Sequence, residues 1–177
     1  MVEATREWLE KAVIGLGLCP FAERAYSRDQ IRYRVSVQTS AAGLTQELVE
    51  ELDHLHAADP LQLETTLLIH PRALVGFEDY NQFLDEADAT VAALGLEGEI
   101  QVASFHPAYQ FAGTAPNAVE NYTNRSPYPM LHLLREASVT RAVETFPGVH
   151  EIGANNVAKL NALGEAGWRR LWERAPR

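Results

Sequence analysis

Cysteine is nearly missing from this chain: Cys19 is the only one in 177 residues. A lone cysteine closes no internal disulfide and fills no cysteine-rich zinc site, which points to a reducing compartment. Cations are in deficit too. Fifteen Lys and Arg face 24 Asp and Glu, for a net charge of −9, so neither a nucleic-acid groove nor a grip on anionic lipid is expected. No apolar run approaches the roughly 18–20 residues that span a bilayer. Acid appears at Glu3 and Glu7, where a secretory leader would be basic, and the expected location is the cytoplasm. Phosphate-cradling loops are missing as well: Gly15-Leu16-Gly17 lacks the third glycine and the preceding strand of a dinucleotide fingerprint.

What is present reads as one α/β domain over residues 1–177, with 46% hydrophobic and 22% charged residues, close to globular averages. Leu9, Val13 and Leu16 share a helix face that Pro20 ends, and Ile31, Tyr33, Val35 and Val37 alternate with polar residues as a strand. Ser40 caps a helix whose stripe is Leu44, Leu48, Leu52 and Leu55. Thr65–Ile69 is a short buried strand, a helix runs from about Phe77 to Leu94 with Gly95 as its stop, and Ile100–Phe105 is the third strand. Strands separated by single helices predict a small, mainly parallel three-stranded sheet built from βαβαβ units, with a ferredoxin-like α+β arrangement as the alternative. Residues 107–127 are rich in turn formers, and a loop of that length is usually functional. Helices are expected at Pro129–Ala137, Val139–Phe146, Asn156–Leu163 and Glu165–Arg174, the last carrying Trp168, Leu171 and Trp172 as a docking stripe.

Two predicted strands end in the same dipeptide, His70-Pro71 and His106-Pro107. Ligands of open parallel sheets bind beyond the carboxyl ends of the strands, so both histidines are expected on one functional rim. In a helix over 129–137, His132 and Glu136 at i and i+4 would face one spot, as two metal ligands or as a base and its orienter. His70, His106, His132 and Glu136 therefore form a candidate set for a divalent metal, iron, zinc or manganese. The competing structural reading is that the histidines satisfy turn carbonyls and that His132–Glu136 is a surface pair. Thr123, Asn124, Arg125 and Ser126 precede that helix and suggest a pocket for a small anionic molecule, with Arg125 as its fork; alternatively Arg125 pins the loop. Tyr109 supplies a hydroxyl or a wall. His54, His56 and His150 look peripheral. Cys19 follows a helix C-terminus, whose dipole disfavours a thiolate, so it reads as a buried thiol rather than a nucleophile.

Several of these blocks resemble a bacterial family known as domain of unknown function 1415. They are Leu18-Cys19-Pro20-Phe21-Ala22, Leu67 to Pro71, Gln101 to Pro107, Tyr109 to Thr114, and Thr123 to Glu136; together the resemblance spans roughly residues 5–163. It brings no reaction with it. Ala108 stands where that pattern leads one to expect an acidic residue, and Gly153-Ala154 where it leads one to expect a more polar helix start.

Three functions follow as expectations. The first is an enzyme of small-molecule metabolism, a hydrolase or oxidoreductase if metal-dependent, with His106, His132, Glu136 and Tyr109 at work and an anionic substrate on Arg125. The second is a non-catalytic module that binds a metabolite or a protein. The third is thiol redox chemistry at Cys19.

Overall fold

The computed structural model describes residues 1–145, 148 and 151–171. Phe146, His150, Trp172 and Arg174, which figured in the expectations above, lie outside the described residues. Helix α1 (Val2–Trp8) runs on into a wider π-helical turn (Leu9–Ile14), and α2 (Ala22–Ser27) follows Pro20. Then come β1 (Ile31–Val35), α3 (Ala41–Ala57), β2 (Thr65–Ile69), α4 (Phe77–Ala93) and β3 (Ile100–Phe105). A 3-10 turn (Val119–Asn124) leads to β4 (Met130–Arg135), which passes into α5 (Glu136–Thr145) and then α6 (Ile152–Arg170).

The sheet is four-stranded and mixed, in the order β1-β2-β4-β3. This corrects the expected parallel three-stranded sheet. The segment read as a helix over 129–137 is β4, which inserts antiparallel between β2 and β3 and leaves β1–β2 as the sole parallel pair among the described strands. The chain order βαβαββ also departs from the βαββαβ of a ferredoxin-like fold. β2 and β3 still run the same way, because each opposes β4.

Strand alternation gives the sheet two cores. On one face, Leu68, Leu131 and Leu133 pack under Leu44, Leu48, Leu52 and Leu55 of α3 and Tyr80, Phe83 and Ala87 of α4. Ser40 caps α3 by accepting the Gly43 N–H. The polar residues of β1 are anchored on the same side. Arg32 donates to both oxygens of buried Glu51 at 2.7 and 3.1 Å, and Arg34 donates to Glu47 at 3.0 Å. On the other face Leu67, Ile69 and Met130 meet Trp8, Leu9, Ala12 and Val13, with Leu160 and Trp168 of α6. Helix α6 breaks at Gly164 (φ 65°, ψ 172°), a conformation that glycine adopts without strain.

Candidate functional site

The two His-Pro segments do meet at one rim. His70 stacks on Tyr80 with ring centroids 5.6 Å apart, and His106 lies tilted 5.1 Å from the same ring. Both histidines hold the β2–α4 loop. His70 Nδ1 donates to the Ala73 carbonyl at 2.9 Å, and its Nε2 is buried without a partner. His106 Nε2 donates to the Val75 carbonyl at 3.0 Å, while its Nδ1 accepts the Ala108 N–H at 3.0 Å. Both His106 nitrogens are thus committed to backbone, and burial lowers its pKa. The buried Tyr80 hydroxyl completes the clamp: it donates to the Met130 carbonyl and accepts the Phe105 N–H, tying α4 to the ends of β3 and β4. Tyr109 lies over Phe77 and Phe111, with its hydroxyl 3.4 Å from Ser104 Oγ.

The long loop carries its own scaffold. Fully buried Asn121 accepts the Phe111 N–H (2.9 Å) and the Thr114 hydroxyl (2.8 Å), and donates to the Ala115 carbonyl (2.8 Å). Asn124 donates to the Ser104 carbonyl, and its own carbonyl accepts the His106 N–H. Arg125 donates to the carbonyls of Tyr109 and Pro116 and lies 4.4 Å over the Tyr122 ring, while its carbonyl accepts the Trp8 indole N–H. Thr123 donates to the Glu120 carbonyl and Ser126 to that of Tyr128. The four residues expected to cradle an anion are spent on holding the loop together. Asn121 counts in the sequence only among the turn formers of 107–127 and Trp8 carries no signal there; their hydrogen-bond duties depend on distant partners.

His132 is elsewhere. It sits in the middle of β4, opposite Leu67 and Ala103, and faces the N-terminal helices rather than α3 and α4. The sheet therefore separates it from His70 and His106. Glu136 begins α5 beyond Arg135, which alone lies about 10 Å further along the strand. The Glu136 amide is held by the Glu99 carbonyl. The four candidate metal ligands do not fit a shared ion, and among the described residues no three His, Cys, Asp or Glu side chains form such a group. His56 pairs with Glu99 on the surface at 3.0 Å.

What His132 does face is a cavity of about 510 Å³ between the sheet, the N-terminal helices and α5. Trp8, Val13, Phe21, Leu67, Phe105 and Leu134 supply much of its apolar wall. Trp8 and Phe105 meet edge to face at 5.2 Å, and Phe105 lies 6.0 Å from the His132 ring. Desolvation pushes the His132 pKa down to about 4, so the imidazole is neutral at physiological pH. Cys19 also lines the cavity, and burial raises its thiol pKa, which disfavours the thiolate. Four charged residues reach the wall. Arg135 is spent on the carbonyls of Leu55, Ala58 and Leu63, Arg141 donates to Ser138, Arg24 is exposed, and Glu64 is half-buried.

Fold and site together define a three-layer α/β domain, a mixed sheet covered on both faces, with a partly open cavity beneath its N-terminal helices. The family model described as Protein of unknown function (DUF1415) matches residues 1–170, and the chain belongs to that family. No curated protein and no solved structure matches the chain. Among the described residues, no helix is long and apolar enough to cross a membrane.

Proposed function

We propose that this protein binds a small, largely apolar molecule in the cavity beneath its N-terminal helices. The observation that carries this reading is the cavity itself: about 510 Å³ of apolar-walled space with a few polar side chains, in a domain whose opposite core is closed by leucines. That volume and lining are those of ligand sites in general. The rim offers less. A proton-transfer role for His106 would first require breaking its bonds to Val75 and Ala108. Arg125, the expected anion fork, faces loop carbonyls instead.

The test is direct. N-phenyl-1-naphthylamine, an uncharged fluorescent probe of suitable size, should bind the purified protein saturably with a micromolar dissociation constant. Ala103 lies on the cavity wall, and Ala103→Phe should weaken the probe by about 10-fold or more while the melting temperature holds or rises. Absence of saturable binding, or equal binding by the filled variant, would overturn the reading.

A further inference from the structure

The hydrogen bonds under the cavity floor fix the protonation pattern of His132. Thr65 Oγ1 lies 2.5 Å from the Leu133 carbonyl. A carbonyl can only accept, so Thr65 must donate there, and a hydroxyl has one proton. The contact of 2.8 Å between Thr65 Oγ1 and His132 Nε2 therefore has the imidazole donating. A neutral ring with its proton on Nε2 carries a lone pair on Nδ1. Among the described residues no hydrogen bond reaches that Nδ1, and unlike the sealed Nε2 of His70 it is not an orphaned buried atom. His132 keeps accessible surface, and it lines the cavity.

We propose that the cavity selects an uncharged molecule with a flat apolar body and one hydrogen-bond donor, a hydroxyl or a ring N–H, which the lone pair of His132 Nδ1 receives. This rests on the binding role argued above and names its ligand class. Shape supports it: Trp8 and Phe105 form an edge-to-face corner beside the imidazole, into which a ring can slide. Charge supports it as well. A carboxylate would set its oxygens against the Nδ1 lone pair; of the three arginines on the wall, Arg135 is held by three carbonyls on α3 and the loop after it, Arg141 donates to Ser138, and Arg24 lies exposed to solvent, where its charge is screened. A cation would lose its hydration against apolar walls. Burial holds the ring neutral, since its pKa is pushed down to about 4.

The experiment titrates the full chain with 1-naphthol, 1-fluoronaphthalene and 1-naphthoate by calorimetry. The first two share size and body and differ in the donor; the third adds a negative charge. Naphthol should bind about 10-fold tighter than fluoronaphthalene, the worth of one buried hydrogen bond, and naphthoate should bind weakest. His132→Phe should bring naphthol down to the fluoronaphthalene value. Thr65→Val, which keeps the side-chain shape and leaves the imidazole free to carry its proton on either nitrogen, should shrink the naphthol advantage; it carries the test if the phenylalanine variant fails to fold. Equal binding of naphthol and fluoronaphthalene by the wild type would overturn this inference and leave the cavity reading standing. An undiminished advantage in either folded variant would overturn it too. No binding by any of the three would sink the cavity reading, and the inference with it.

Discussion

At the scale of single residues, a histidine is defined by what its two nitrogens are doing. Those of His106 receive one backbone N–H and donate to one carbonyl, so alanine at that position removes the partners of two part-buried backbone groups at once, along with a buried ring. His106→Ala should cost about 2–4 kcal/mol in urea unfolding and leave probe binding in the cavity unchanged, because the rim lies on the other side of the sheet. A variant that keeps full stability but loses ligand binding would place function at the rim after all. Asn121 bears comparable weight. Its amide joins Phe111, Thr114 and Ala115, and Asn121→Ala should speed hydrogen exchange at the Phe111 amide by well over 10-fold if that bond closes the loop. Unchanged exchange there would mean that the loop is ordered by other contacts. The His-Pro pairs stood out in the sequence, and their meeting at one rim followed from their strand ends. The partners that turn them into clamps, Ala73, Val75 and Ala108, are backbone groups, and a sequence does not show where backbone groups point.

At the scale of elements, β4 shows how a strand can hide. Met130, Leu131 and Leu133 are fully buried on two different faces, so the run lacks the polar–apolar alternation that identifies a half-exposed strand. Leucine and arginine favour helices, and the spacing of His132 and Glu136 fits one, yet the segment fills the gap between β2 and β3. Tertiary pairing overrides local preference here. The one local hint is Pro129, which keeps Tyr128 out of helical geometry and opens the segment in extended form. By contrast β1, β2 and β3 and the stripes of α3 and α4 were legible, since each has one consistent period and a clear stop. The difference bears on function. A helix over 129–137 would pair His132 with Glu136 on the side of His106, whereas the strand turns His132 to the opposite core, beside Thr65.

At the scale of the whole molecule, the two cores share one electrostatic property: each encloses a histidine that must be neutral. His70 under α4 and His132 over the cavity are both pushed by desolvation from the ordinary 6.5 down to about 4. A lowered folded-state value means that the unfolded chain binds protons more readily between those two limits. Stability is therefore complete above pH 6.5, falls as the pH drops through the window from 6.5 to 4, and has lost its full share below 4. Each group should contribute roughly 2 kcal/mol of loss between pH 7.5 and pH 5. Urea unfolding at those two pH values should show the midpoint falling at pH 5 while the slope of the transition is kept. His132→Phe, if folded, should reduce the fall by about half, because phenylalanine occupies similar space without a proton to bind. A bound ligand whose donor rests on Nδ1 competes with the proton for that nitrogen, so saturating 1-naphthol should stabilise the wild type no more at pH 5 than at pH 7.5. A midpoint that is flat from pH 7.5 to pH 5 would mean that burial does not hold these two histidines neutral in the folded protein.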